Sequence, residues 1–107
     1  PNTVYAFLKA VAEGVVLSHK DPTVAKKTIG KYAKIDDGPT IDGTYEAFAP
    51  YWARSLAVRP EAVKGQFAYL DEKEFPSAKN ADPGDFYDNS FVNALSKSGF
   101  LKNLGMK

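Results

Sequence analysis

The sequence predicts an all-α fold of about five helices in a compact helical array. Apolar side chains recur at intervals of three and four residues along most of the chain, which places them on one face of a helix. Proline stands at three of the predicted helix starts, in Asp21-Pro22, Arg59-Pro60 and Asp82-Pro83. No segment shows the strict alternation of apolar and polar residues that is typical of a half-buried strand. The predicted helices cover about residues 2–19, 22–35, 41–57, 60–74 and 85–98.

The first predicted helix is apolar around most of its circumference. Apolar residues fill positions 4, 7, 8, 11, 12 and 15, and Tyr5, Val16 and Leu17 widen that face. Because so little of its surface is polar, we expect this helix to pack against neighbours on more than one side.

The second helix begins at Asp21, whose carboxylate caps free amide groups while the proline after it occupies the first turn. Its apolar positions lie largely opposite a stripe of lysines, Lys26, Lys27, Lys31 and Lys34. A basic stripe can contact phosphate, but no arginine or aromatic cluster accompanies this one. We therefore interpret the stripe as a solvated helix face.

The third helix opens near Thr40 and Asp42 and contains Pro50. Proline inside a helix removes a hydrogen bond and costs about 3 kcal/mol, so we expect a kink or break between Phe48 and Tyr51. Aromatic residues at helical spacing are typical of a core, but a kink can turn one ring outward to line a ligand cleft or a partner surface. The aromatic residues concerned are Tyr45, Phe48, Tyr51 and Trp52.

The last two predicted helices are separated by a surface loop over residues 76–84, which is rich in residues that favour turns. The fourth helix begins at Pro60. Gly99 occupies the position of a left-handed helix stop, and Phe100 follows where it can contact Leu95. The fifth helix is predicted to bury Tyr87, Phe91, Ala94 and Leu95.

Length and composition indicate one ordinary globular unit. The chain has 107 residues, so we treat residues 1–107 as a single helical domain or fragment. Lysine and arginine number 14 against 13 acidic residues, and a net charge of +1 argues against a nucleic-acid or anionic-membrane partner. The absence of cysteine excludes thiol nucleophiles, zinc–thiolate sites and dithiol redox chemistry. No apolar run approaches the length of a membrane span, and the first residues do not resemble a signal peptide.

No constellation of residues predicts catalysis, a cofactor or a metal ion, and none identifies a ligand. His19 is the single histidine, and we interpret it as a surface residue because no nucleophile or orienting partner is evident beside it. Asp82, Asp85 and Asp88 recur at every third residue, whereas a calcium loop places ligands at alternate residues and closes with a glutamate. We interpret these carboxylates as caps and solvated loop residues. We therefore expect no enzyme activity and no bound cofactor.

Residues 85–91, Asp-Phe-Tyr-Asp-Asn-Ser-Phe, and residues 98–100, Ser-Gly-Phe, resemble the final helix and tail of periplasmic substrate-binding proteins of ABC transporters, in the nitrate, sulfonate, taurine and thiamine-precursor group. The resemblance covers essentially the whole chain. Residues 4–10, leading to Asp21-Pro22, resemble the segment where the chain enters its closing run of helices. Residues 36–80 match mainly in their helix–turn spacing.

The resemblance implies that this chain is the C-terminal helical scaffold of a larger, two-lobed α/β binding protein of the periplasm. Such a protein closes on a small solute between its lobes and delivers it to a membrane permease. Its ligand is held largely by the sheet-bearing portions, so no ligand-binding residue is transferred to this chain. The alternative is a freestanding helical interaction domain that uses residues 45–52 as its partner surface.

In the whole protein that the resemblance implies, part of the first helix faces another lobe, so we expect the isolated chain to associate with itself. Burial of apolar surface stabilises association by about 25 cal/mol per Å². A symmetric dimer or an exchanged first helix covers the same surface. The predicted contact residues are Val4, Phe7, Leu8, Val11 and Val15.

Overall fold

The computed structural model describes residues 1–106, and over that range the chain is helical and contains no β-strand. The all-α prediction is therefore confirmed, with six α-helices rather than five in the described part. They are α1 (Asn2–Lys20), α2 (Pro22–Ala33), α3 (Gly38–Phe48), α4 (Pro60–Phe67), α5 (Ser90–Lys97) and α6 (Phe100–Leu104). Short 3-10 segments lie at Ala49–Tyr51, Ala78–Asn80 and Pro83–Phe86.

Helix α1 is the centre of the array and contacts α2, α5 and α6. The prediction that this helix packs on more than one side is confirmed. The residue spacing on α1 explains the packing, because its core-facing side chains recur at intervals of three and four. The buried core consists of Ala12, Val92, Leu95, Leu101 and Met106, with Tyr5, Leu8, Val15, Val16, Leu56, Phe100 and Leu104 packed at its edge.

Helices α1 and α2 meet at a corner formed by Asp21. The backbone N–H of Asp21 donates to Leu17 O at 2.8 Å, and Asp21 Oδ1 accepts from the Val24 N–H at 3.2 Å. One residue thus ends α1 and caps α2, with Pro22 in the first turn, as the sequence predicts. Helix α2 ends at Ala33, and the capping residue after it, Lys34, is left-handed with a φ of 55°.

Helix α3 begins earlier than predicted because Asp37 caps it. An Asp37 carboxylate oxygen accepts from the Thr40 N–H at 2.8 Å and also from the Thr40 hydroxyl. Pro39 lies in the first turn, where a missing N–H removes no helical hydrogen bond. The prediction that Thr40 and Asp42 open the helix is wrong, since both already lie inside it.

The helix breaks after Phe48, as the position of Pro50 predicts. A single 3-10 turn contains the proline, and Trp52 is then extended with φ −63° and ψ 139°. The prediction that helix continues to residue 57 is wrong, because residues 52–59 form no regular helix. Arg59 is extended as well, as expected for a residue that precedes proline.

Helix α4 ends at Phe67, so the prediction of a helix as far as residue 74 is wrong. Where the predicted helix would continue, Asp71 forms a turn instead. Its side chain accepts from the Lys73 N–H at 2.7 Å, and its backbone carbonyl accepts from the Phe75 N–H at 2.8 Å. Local side-chain hydrogen bonds to the backbone favour turns over continued helix.

Residues 60–86, here called the distal segment, contribute no side chain to the core. Within it α4 contacts the 3-10 turn that starts at Pro83, and the rings of Phe67 and Phe86 meet edge to face with centroids 5.2 Å apart. The array is flat, with extents of 46 × 37 × 22 Å. Its radius of gyration is 17.4 Å, above the value of about 13 Å for a closely packed domain of this length. Much apolar surface is therefore left open to solvent.

Helix α5 begins at Ser90 rather than near residue 85, so that predicted start is wrong. Asp82 Oδ1 accepts from the Gly84 N–H at 2.9 Å and supports a 3-10 turn, after which Tyr87 is extended. Asp88 Oδ1 then accepts from the Ser90 N–H at 2.8 Å, at the start of the new helix. Of the side chains predicted to be buried, Leu95 is buried, whereas Tyr87, Phe91 and Ala94 are half-buried.

Gly99 is left-handed with a φ of 84°, as the sequence predicts for a helix stop. Phe100 packs at the edge of the core that contains Leu95. The chain then forms α6, which the sequence pattern did not predict. This short helix places Leu101 in the core, where it is only 2% exposed.

Candidate functional site

A group of aromatic side chains and a histidine lies at the end of α1, beside the loop after α3. The rings of His19 and Trp52 meet edge to face with centroids 5.8 Å apart, and those of Tyr45 and Trp52 do so at 5.5 Å. The Tyr45 hydroxyl donates to Ser18 O at 3.1 Å. We call His19, Tyr45 and Trp52 the Trp52 cluster. It fixes the loop after α3 against the end of α1.

His19 is half-buried in this cluster, so its interpretation as a surface residue is wrong. Its Nε2 atom is buried and has no hydrogen-bond partner among the residues that the structure describes. A buried polar atom without a partner costs stability. Sequence reasoning missed this environment because the ring of Trp52, which lies far along the chain, covers the imidazole.

An open cleft, here called the basic cleft, lies between the end of α1, the loop after α3 and the chain after α6. Its volume is about 370 Å³. Two cations lie on its wall: Lys20, whose Nζ donates to Leu104 O at 3.4 Å, and Arg54. The lining residues are Val15, Val16, His19, Lys20, Ala53, Arg54, Gly105 and Met106.

The basic cleft combines apolar walls with positive charge, and no acidic side chain is among its described lining residues. A concave site with an apolar lining and a few placed polar groups is typical of small-ligand binding.

The four aromatic residues of the third predicted helix divide between interior and surface. Tyr45 and Trp52 are half-buried in the Trp52 cluster, whereas Phe48 and Tyr51 are 60% and 84% exposed. The expected outward turn of a ring after the proline occurs at Tyr51. Two of the rings are therefore partly covered, although neither belongs to the core, and the other two are open to solvent.

The lysine stripe of α2 is only partly solvated. Lys26 Nζ pairs with Asp42 Oδ1 at 2.9 Å and lies 5.4 Å from the centroid of the Tyr45 ring. The hydrogen bond to Asp42 raises the pKa of Lys26, against a smaller opposing effect of desolvation. Lys26 therefore links α2 to α3, while Lys27 and Lys34 are exposed, as predicted.

Two of the three regularly spaced carboxylates cap turns, which confirms that interpretation for Asp82 and Asp88. Contacts with the Ser90 side chain, and then with its backbone N–H, lower the pKa of Asp88. Within residues 1–106, no three acidic or histidine side chains lie close enough together to hold a metal ion.

One face of α1 remains uncovered. Phe7 is 67% exposed, Val4 is also exposed, and Val11 on the same face is half-buried; we call these three residues the α1 patch. The predicted self-association surface needs a correction, because Leu8 and Val15 pack against the chain's own core. Other large apolar side chains with high exposure are Tyr32, Phe48, Tyr51, Tyr69, Phe75 and Phe86.

Comparison of the chain with protein-family models, with curated proteins and with solved structures found no match. Over the described range, none of the helices combines the length and hydrophobicity that crossing a bilayer requires, as the sequence predicts.

Proposed function

We propose that the chain is the helical scaffold portion of a periplasmic solute-binding protein, which captures a small solute and delivers it to an ABC-transporter permease. In this role an α/β lobe of the same protein covers the α1 patch. The solute is held by that lobe and its counterpart, and the helices described here support them.

The exposed Phe7 ring is the observation that carries this proposal. It lies beside Val4 on the central helix of the array, whose other face is buried. Contiguous exposed apolar patches are typical of surfaces that contact a partner. A second body that covers Phe7 buries the one face of this helix that its own neighbours leave exposed.

The small size of the core gives further support. Three of the buried hydrophobic side chains in the described part are alanines, at positions 12, 25 and 49. A domain near 100 residues with few large buried side chains gains little stability from its own packing. Contacts with another lobe supply additional apolar burial.

Reading the gene that encodes this chain tests the proposal. We expect an upstream region with an α/β pattern and a signal peptide, next to genes for a permease and an ATPase. A gene that encodes this helical array without such a region contradicts the scaffold role.

The alternative function is a freestanding helical interaction domain, and the exposed rings of Phe48 and Tyr51 favour it. Aromatic side chains that project from a fixed turn are suited to insert into a partner's pocket. Substitution of both rings by serine abolishes partner binding in that case. If the scaffold role is correct and α1 forms the interface, the same double substitution has little effect on the association of this chain with the lobe that covers α1.

A further inference from the structure

We propose that the basic cleft is a binding site for a small monocarboxylate that carries a short apolar chain. This site is separate from the solute site between lobes, and it does not depend on the scaffold role. The proposal follows from the charge, the lining and the position of the cleft.

The charge of the cleft is a local excess in a chain that is nearly neutral overall. The net charge is +1, yet Lys20 and Arg54 both line the cleft and no described lining residue is acidic. Among residues 1–106 the ion pairs join Lys26 to Asp42 and Lys79 to Glu72, so Arg54 has no carboxylate partner there. A concave site lined by one sign of charge attracts ligands of the opposite sign.

The geometry of arginine explains why the ligand group is a carboxylate. The guanidinium of Arg54 can donate two parallel hydrogen bonds to the two oxygens of one carboxylate. The ammonium of Lys20 donates to Leu104 O at 3.4 Å, and its remaining N–H groups can approach the same anion.

The apolar walls define the rest of the ligand. Val15 and Val16 on α1 line the cleft together with Met106, which is also part of the buried core. Burial of a short alkyl chain against these walls strengthens binding about fourfold per CH₂ group at full burial. A cleft of about 370 Å³ is at the lower end of the range for small-molecule sites, so the chain is short.

The carbonyl ends of α1 and α6 also lie beside this cleft and favour cations, so the sign of the ligand charge needs a direct test. Calorimetric titration with octanoate, octylammonium and acetate at low ionic strength provides it. We expect octanoate to bind with a dissociation constant of about 0.1–1 mM. Acetate lacks the apolar chain and octylammonium has the opposite charge, so both should bind at least about tenfold more weakly.

Single substitutions locate the site. Arg54→Gln should weaken octanoate binding about tenfold, and Lys20→Gln should weaken it by a smaller factor. Ala53→Leu narrows the cleft and should weaken binding with both cations intact. Arg59→Gln is the matched control, because Arg59 is exposed and does not line the cleft.

Circular dichroism shows whether each variant keeps its helices. If Lys20→Gln is destabilised, Arg54→Gln alone shows whether octanoate binding depends on a cation of the cleft, because Arg54 lies outside the core. The emission of the single tryptophan, Trp52, gives an independent signal because its ring contacts His19 on the cleft wall. The proposal is overturned if octanoate shows no binding at about 5 mM, well above the expected dissociation constant. Equal affinity for octylammonium, or unchanged octanoate affinity in Arg54→Gln, overturns it as well.

Discussion

The side chain of Asn89 is hydrogen-bonded to both backbone groups of Val58. The Val58 N–H donates to Asn89 Oδ1 at 2.9 Å, and Asn89 Nδ2 donates to Val58 O at 2.8 Å. The pair joins the loop before α4 to the start of α5. It therefore anchors one end of the distal segment to the helices that form the core.

Removal of this pair should destabilise the fold. Asn89→Ala should lower the free energy of unfolding by about 1–2 kcal/mol, since two hydrogen bonds are lost and each contributes about 0.5–1.5 kcal/mol. Urea unfolding followed by circular dichroism measures the change. Asn93→Ala on the exposed face of α5 is the control and should be neutral or slightly stabilising, because alanine is a better helix former. Equal effects of the two substitutions contradict the anchoring role.

The free energy of unfolding should fall at acid pH, because the carboxylates that cap the helices become protonated there. The Thr40 side chain, and then its backbone N–H, lower the pKa of Asp37 below its ordinary value of 3.8, and Ser90 does the same for Asp88. A carboxylate whose pKa is lower in the folded state stabilises the fold above its ordinary pKa. That contribution is lost as the pH falls from about 4 through the folded value.

Asp37→Asn should therefore flatten the pH dependence of the unfolding free energy below about pH 4, where the wild type loses stability. Asp36→Asn, at the exposed neighbouring position, is the matched control for the removal of one negative charge. Denaturant titrations at several pH values measure both. An identical acid response of wild type and Asp37→Asn shows that the cap does not titrate as described.

The left-handed stop at Gly99 should resist substitution. Gly99→Val should cost about 1–2 kcal/mol, because a branched side chain disfavours a φ of 84°. Nothing lies within 4 Å of a Cβ built at Gly99, so the cost comes from the backbone alone. Gly14 inside α1 has equally open surroundings, and Gly14→Ala should stabilise by about 0.5–1 kcal/mol. Thermal melts measure both changes. If Gly99→Val lowers stability by less than the error of the melt, then α6 frays.

The packing of α6 gives a test of the core itself. Leu101→Ala should cost about 2–5 kcal/mol, since the side chain is almost fully buried and its removal leaves a cavity. Leu17→Ala is the matched control, because Leu17 is 48% exposed, and it should cost less than about 1 kcal/mol. Similar losses at the two positions show that α6 does not belong to the core.

Local signals in the sequence predicted the parts of the fold that depend on nearby residues. Asp21 with Pro22, Pro50 and Gly99 each act on the turn of chain next to them, Asp21 through its side chain and the others through their backbone geometry. Each has the predicted effect. The predicted bounds fail where a side chain finds a competing partner. Asp71 forms a turn with the residues that follow it where helix was predicted, and Asp82 forms a 3-10 turn in place of the first turn of α5.

The basic cleft was not predictable from local patterns. Its walls come from α1, from the loop after α3 and from residues beyond α6, and α6 itself was not predicted. His19 and Arg54 are unremarkable in sequence, and they lie at one site because Trp52 packs on the imidazole and places the loop there. Contacts between residues so far apart leave no periodic signal in the sequence.

The α1 patch is the surface on which the scaffold role depends, and light scattering coupled to gel filtration tests it most directly. Because Phe7 is exposed in the isolated chain, it should lead that chain to associate with itself. We expect a mass above the 11.7 kDa of one chain that rises with protein concentration. Phe7→Ser should restore the monomer, whereas Tyr32→Ser, at another exposed aromatic position, should not. A wild-type mass that stays at 11.7 kDa at every concentration contradicts the claim that this face of α1 is an interface.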